Sequence, residues 1–188
     1  MDEKHALELF LGTRTEESFC VLFEMLYPRV RRYFLVRAFD SMTAEELAQN
    51  VLLKVYTHSS ALRERNHFNG WLFKVARNEM LAYWRRLENS GEIVEFEPIE
   101  PELAEELMTR EERTESTRFD EWMGFLEPAE REIARLRFAD DLSYEELALV
   151  LSLPMGTVKW RLFNVKKKLT AIIKASSAND RRSMEKDR

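Results

Sequence analysis

The sequence predicts an all-α protein in which two small helical domains are joined by an acidic linker. Helix-forming residues run throughout its 188 positions, and no segment alternates polar and apolar residues as a strand would. Basic and acidic residues number 13 and 12 in 1–88, 3 and 13 in 89–127, and 13 and 9 in 128–188. The acidity therefore belongs to a middle segment that also holds Gly91 and Pro98, as is typical of a linker. The expected parts are a first domain at 1–88, a linker at 89–115, a second domain at 116–175 and a disordered tail at 176–188.

Two helices are expected in the first domain before residue 60. Apolar residues at helical spacing predict a core helix around Phe19 to Phe34, in which Pro28 either kinks the segment or opens a new helix. A capping box at Thr43 and Glu46 predicts the start of the next helix. The buried face of this helix is expected to comprise Ala44, Leu47, Ala48, Val51 and Val55.

The opposite face of that helix is polar but carries a leucine in its middle. This face comprises Glu46, Gln49, Asn50 and Leu53. A leucine on a face that contacts only solvent gains nothing from burial, although a single exposed leucine is common on protein surfaces. Spacing alone therefore leaves open whether this face docks on a partner.

A third helix, expected from about Phe68 to Leu87, has a basic outer face. Its inward stripe comprises Phe68, Leu72, Val75, Ala76, Met80, Tyr83 and Leu87. Glu79 falls within this stripe and must reach an edge or find a partner. The outward residues are Lys74, Arg77, Asn78, Leu81 and Arg85, flanked by Phe73, Trp84 and Arg86. Cations follow phosphates and rings stack on unpaired bases, so this face suits single-stranded nucleic acid, with a solvated basic face as the alternative.

Residues 141–169 have the pattern of a helix-turn-helix. Ser143 and Glu146 form a capping box, the first helix stops before Pro154, and a second helix begins around Pro154 to Thr157. In the second helix the expected buried seam is Val158, Leu162, Val165 and Leu169, and the opposite face carries Trp160, Asn164 and Lys167. No acidic residue occurs from 148 to 178. This helix suits a DNA groove, although helical bundles that bind no nucleic acid also show capped helix pairs with exposed lysines.

Other features narrow the class of protein. No apolar run reaches membrane-spanning length and the amino terminus lacks a signal peptide, so a cytoplasmic protein is expected. The single cysteine, Cys20, excludes a disulfide framework and is expected to be buried in its helix. His5, His58 and His67 lack metal-ligand spacing and no nucleotide-binding glycine loop occurs, so neither a metal, a cofactor nor an enzymatic activity is expected.

Both halves resemble bacterial sigma factors of the extracytoplasmic-function type. The second domain is similar to their carboxy-terminal promoter-reading domain in LEPAERE at 126–132, LSYEELA at 142–148 and GTVKWRL at 156–162. The first domain is similar in TAEELAQNVLL at 43–53 and FNGWLFKVARN at 68–78, followed by YWRR. Departures occur at Ala82, where the family usually has aspartate, and at Trp160, where it has a small polar residue.

The resemblance implies roles for particular residues. Polymerase binding, to the clamp coiled coil of the largest subunit, is implied for Glu46, Gln49, Asn50 and Leu53. Binding of the minus-ten element is implied for Arg63, Asn66, Phe68, Lys74, Arg77, Asn78, Trp84, Arg85 and Arg86. Binding of the minus-thirty-five element is implied for Thr157, Lys159, Trp160, Arg161, Asn164, Lys166 and Lys167.

The implied partners are core RNA polymerase, through its clamp and flap, promoter DNA and an anti-sigma factor, with no membrane insertion. A conventional helix-turn-helix regulator is the alternative, because it would explain the second domain. It would not need the basic, aromatic helix of the first domain.

Overall fold

The computed structural model describes residues 2–37, 39–58, 67–90 and 119–186, with side chains up to Ser176. These residues are helical or form turns, and none of them lies in a strand, which confirms the all-α prediction. The helices are α1 (Glu3–Thr13), α2 (Glu16–Leu35), α3 (Ser41–His58), α4 (Phe68–Ser90), α5 (Pro128–Phe138), α6 (Tyr144–Leu151) and α7 (Met155–Lys186). A short helical segment at 119–124 precedes α5.

The helices fall into two compact units, with α1 to α4 in the first and α5 to α7 in the second. The two-domain prediction is confirmed, while the boundaries at 88, 115 and 175 stay predictions. The linker at 89–115 lies outside the described residues except for Asn89 and Ser90, which end α4.

The first unit is built around α2 and α3. The α2 core side chains are Leu22, Leu26, Val30, Tyr33 and Phe34, all fully buried. The five residues predicted for the buried face of α3 are also fully buried, and Leu52 joins them. Helix α2 runs without a break through Pro28, so the proline does not open a new helix.

The start of α3 differs from the prediction. The helix begins at Ser41, and the carboxylate of Asp40 accepts the cap hydrogen bond from the Thr43 N–H at 2.9 Å. Burial raises the pKa of Asp40, but hydrogen bonds from Thr43 and the backbone N–H of Met42 outweigh it, and the pKa lies below its ordinary value. An aspartate three residues upstream therefore performs the role predicted for Thr43.

The second unit confirms the helix-turn-helix. Ser143 N–H donates to the Glu146 carboxylate at 2.8 Å and Glu146 N–H donates to Ser143 Oγ at 3.2 Å, which completes the capping box. Ser152 ends α6 in the left-handed region, with φ 53°. In α7 the side chains of Val158, Leu162 and Val165 are buried as predicted, and Leu169 is partly exposed.

Helix α7 extends as far as Lys186, with no glycine or proline after Gly156 to stop it, and disorder of the tail at 176–188 stays a prediction. One expectation is wrong. Cys20 is exposed on α2, because its neighbour Leu22 faces the core and a residue two positions away points about 200° around the helix.

Candidate functional site

The polar face predicted on α3, which comprises Glu46, Gln49, Asn50 and Leu53 and which we call the α3 strip, lies on the exposed side of this helix, opposite its buried seam. Glu46 and Gln49 are exposed, Asn50 is half-buried, and the Leu53 side chain is 60% exposed. Met42 is 79% exposed at the first turn of the same helix. Positions 42, 46, 49 and 53 are separated by four, three and four residues, so the strip continues to Met42. Met42 is absent from the predicted contact residues because the predicted helix starts at Thr43.

The basic face of α4 is largely accessible. Asn78, Arg85 and Arg86 are exposed, whereas Lys74 and Arg77 are half-buried. The Arg85 guanidinium donates to the Leu81 carbonyl at 3.1 Å, which holds it along the helix. This face therefore offers cations and one amide to a ligand.

The aromatic residues of α4 contribute less to this face than predicted. Phe68 is only 4% exposed, with its ring 6.1 Å from that of Trp71, so it belongs to the core instead of an exposed stacking surface. Phe73 is also fully buried, with its ring 5.4 Å from Tyr33. The burial of Phe68 agrees with its place in the predicted inward stripe, whereas Phe73, predicted beside the outward face, packs against Tyr33 of α2.

Trp84 is half-buried, and its ring lies 5.1 Å from the ring of Phe39. One part of the indole therefore packs against Phe39, while the rest stays accessible to solvent. Arg63 and Asn66, which complete the predicted minus-ten set, lie outside the described residues.

Glu79 finds the partner that its position in the inward stripe required. Its carboxylate accepts a hydrogen bond from Lys54 Nζ of α3 and forms an ion pair with it. The pair joins α3 directly to α4, and each partner is adjacent in sequence to a predicted contact residue, Leu53 or Asn78.

The outer face of α7 combines cations with two aromatic rings. Lys159, Lys166 and Lys167 are exposed, and Thr157, Arg161 and Asn164 are half-buried. The Trp160 side chain is 65% exposed, as the helical projection predicted. Phe163, which is absent from the predicted contact residues, is 67% exposed and follows Leu162 of the buried seam. Its angular position outside the seam was the signal that could have found it.

One further lysine of α7 forms an ion pair within the protein. Lys168 Nζ donates to both carboxylate oxygens of Glu130 on α5, at 2.6 and 2.8 Å. The hydrogen bond from Lys168 is the main cause of a lowered pKa for Glu130, and the Glu127 N–H adds to it. Lys168 thus neutralises a carboxylate, whereas Lys166 and Lys167 face solvent.

The described residues contain no group of three or more His, Cys, Asp or Glu side chains arranged to hold a metal ion. Among the helices described, none is both long enough and apolar enough to cross a bilayer.

Comparison with known families assigns both units. The family model Sigma-70 region 2 matches residues 22–89, and the model Sigma-70, region 4 matches residues 118–169. The ECF RNA polymerase sigma-E factor of Escherichia coli is 30% identical over 133 residues, which cover 64% of this chain and 69% of the relative. This chain belongs to the ECF sigma factors.

Other relatives agree with the family. The ECF RNA polymerase sigma factor RpoE of Cereibacter sphaeroides is 28% identical over 152 residues, covering 79% of this sigma factor and 82% of the relative. Among solved structures, CnrH in complex with the cytosolic domain of CnrY matches with a TM-score of 0.60 at 19% identity, over 93% of this chain and 99% of that one. The sigma factor RpoE of Bartonella quintana, in complex with the anti-sigma factor NepR, matches with a TM-score of 0.58 at 23% identity, over 80% and 93%. The two structures support the fold.

The resemblance drawn from the sequence is therefore confirmed. The chain is an alternative sigma factor that binds core RNA polymerase and directs it to promoters for transcription initiation.

Proposed function

We propose that this sigma factor docks on the clamp coiled coil of the largest polymerase subunit through the α3 strip. In this proposal α4 binds and opens the minus-ten element, and α7 reads the minus-thirty-five element. The exposed position of Leu53 carries the docking assignment, because an apolar side chain lies among polar ones on the face that the fold does not use.

The packing of α3 supports this assignment. Its buried face is complete without Leu53, since Val51, Leu52 and Val55 are at most 1% exposed around it. A leucine that the core does not need is suited to a partner, where apolar residues at the centre of an interface contribute most of the affinity. The flanking Glu46 and Gln49 supply the polar rim.

The face of α4 suits the unpaired minus-ten strand. Arg77, Arg85 and Arg86 offer charge to phosphates, Asn78 offers an amide to a base edge, and the accessible part of Trp84 offers a ring for stacking. In α7, exposed lysines flank the aromatic residues, an arrangement in which phosphate contacts position the helix and the central residues specify the sequence.

The remaining partners follow from the same proposal. The acidic linker at 89–115 connects the two DNA-binding domains and would follow the positively charged cleft of polymerase, and the second domain would contact the flap. By analogy with the RpoE–NepR complex, an anti-sigma factor would bind this chain when it is inactive. The protein would act in the cytoplasm, where polymerase is, and would catalyse no bond chemistry itself.

The test combines core polymerase with the purified chain and a library of promoter fragments. Sequence-specific initiation that depends on added protein supports the proposal. Sequence-specific binding of duplex DNA without any effect on initiation would favour a conventional regulator instead.

The docking residue is tested by Leu53→Asp, which places a charge in an apolar contact while leaving the buried seam of α3 intact. We expect affinity for core polymerase to fall by about tenfold or more, as at an interface hot spot of about 2 kcal/mol, with an unchanged helical spectrum. Leu9→Asp is the matched control, because Leu9 is also an exposed leucine of the first unit, at 39%, but lies on α1. Equal affinities for the two variants would refute the assignment.

A further inference from the structure

The outer face of α7 carries two large, exposed aromatic rings. Trp160 and Phe163 are each about two-thirds exposed, whereas Asn164 is half-buried. Val158, Leu162 and Val165 fill the opposite side of the helix, so neither ring is needed by the core. Two large apolar rings close together in solvent are typical of a surface that binds a ligand.

The charge around the two rings identifies the class of ligand. Lys159, Lys166 and Lys167 are exposed beside them, and the sequence has no acidic residue from 148 to 178. A cationic rim around an apolar centre suits a polyanion that presents apolar groups between its charges. Duplex DNA does so in the major groove, where thymine exposes its 5-methyl group between the two phosphate backbones.

The spacing of the rings fits successive base pairs. Three residues of helix advance about 4.5 Å, and base pairs rise about 3.4 Å. Residues 160 and 163 also lie within about 60° of each other around α7, so both face the same groove. Each ring can therefore meet a different, neighbouring base pair.

We propose that Trp160 and Phe163 together select neighbouring thymines in the minus-thirty-five element through contact with their 5-methyl groups. The inference rests on the proposed function of α7 and names the chemistry that it reads. Asn164 is less exposed than either ring and contributes less to the selection than its central position in the sequence suggested.

Deoxyuridine provides a direct test, because it differs from thymidine only by the absent methyl group and pairs identically. Selection from a randomised minus-thirty-five element with polymerase carrying this sigma factor first defines the preferred duplex. Each thymine is then replaced singly by deoxyuridine and the affinity is measured. We expect about fourfold weaker binding at two neighbouring base pairs, which corresponds to about 0.8 kcal/mol for one buried methyl-sized group.

The variants assign each methyl group to a ring. In Phe163→Ala the penalty for deoxyuridine should vanish at one of the two base pairs and persist at the other, and Trp160→Ala should show the converse. Phe125→Ala is the matched control, since Phe125 is a 72% exposed aromatic in the same unit but not on α7. It should leave both penalties unchanged.

The result separates this inference from the proposed function. If polymerase initiates at selected promoters but tolerates deoxyuridine at every position, thymine reading by α7 is refuted while the sigma-factor assignment stands. If both ring variants keep the two penalties in full, the rings serve a different ligand and the inference fails. If no element is selected at all, the proposed role of α7 itself fails.

Discussion

The fold does not require a glycine at position 156, but close approach of DNA would. The substitution Gly156→Ala tests both statements. Gly156 lies in the first turn of α7, four residues before Trp160 and on the same exposed face. A Cβ atom built there meets no atom within 4 Å, and no positive φ requires a glycine. Nothing in the fold of the free protein therefore explains the glycine.

The expected gain in stability follows from helix propensity. Alanine is favoured over glycine in a helix interior by about 0.8–1 kcal/mol, and about half of that is a fair value for a first-turn position. Gly156→Ala should therefore raise the free energy of unfolding of the second domain by about 0.5 kcal/mol, or about 2–4 °C in melting temperature. Hydrogen exchange of the Val158 and Leu162 amides reports this domain separately from the first.

The same substitution should weaken DNA binding. A phosphate at the start of α7 would approach the backbone N–H groups, and a methyl group on that face would hold it away. Loss of one hydrogen bond of about 0.5–1.5 kcal/mol corresponds to a decrease in affinity of about twofold to tenfold. Gly124→Ala is the control, since a Cβ there also meets nothing but Gly124 is not on α7. A Gly156→Ala protein that is more stable and binds promoter DNA with unchanged affinity would refute the close approach.

Three further predictions concern single residues. Asn78→Ala should slow open-complex formation on duplex promoters and recover in part on a pre-melted template, and equal losses on both templates would exclude a role in strand opening. Lys166→Ala should weaken binding to all sequences and reduce the slope of affinity against salt by about one, whereas Lys168→Ala should change that slope less because Lys168 is paired with Glu130; salt titrations that give the same slope for both variants would contradict this. The lowered pKa of Glu130 means that its pairing stabilises the fold above the ordinary pKa of a glutamate, about 4.3, and that this stabilisation is lost as the pH falls through the lower pKa of the folded state. The stability difference between the wild-type chain and Glu130→Gln should therefore shrink below about pH 4, and a difference independent of pH in thermal unfolding would show that the pair does not contribute in this way.

The buried faces of the helices were predictable because they depend on periodicity alone. Every residue assigned to the buried face of α3 is fully buried, and the α7 seam is buried up to Val165. A helix that packs on one side must place its apolar residues at intervals of three and four, so the sequence carries this information directly.

Helix starts and exposed aromatics were less predictable. Thr43 and Asp40 are both good caps, and the choice depends on where the preceding chain leaves α2, which local sequence does not encode. Phe68 and Phe163 are the same residue type with opposite fates, since one packs on the core of its unit and the other extends into solvent. Hydrophobicity does not distinguish them, whereas their angular positions do.

The roles of the exposed residues could not be obtained from periodicity. The lysines of α7 are chemically equivalent, yet Lys168 is paired with Glu130 of α5, which lies 38 residues away in the chain. Only the fold brings α5 and α7 together and so separates a structural lysine from those available to phosphates.

The ion pair between Lys54 and Glu79 has a consequence for how this sigma factor can change over evolutionary time. Lys54 follows Leu53 on the proposed docking helix, and Glu79 follows Asn78 on the helix proposed to bind the melted strand. A mutation that re-orients either helix to suit a new polymerase surface or a new promoter must preserve this pair or leave a mostly buried carboxylate without its partner, which is costly. Variation that retunes promoter choice is therefore expected to accumulate at solvent-facing positions such as Trp160 and Phe163, where substitution leaves the rest of the fold intact.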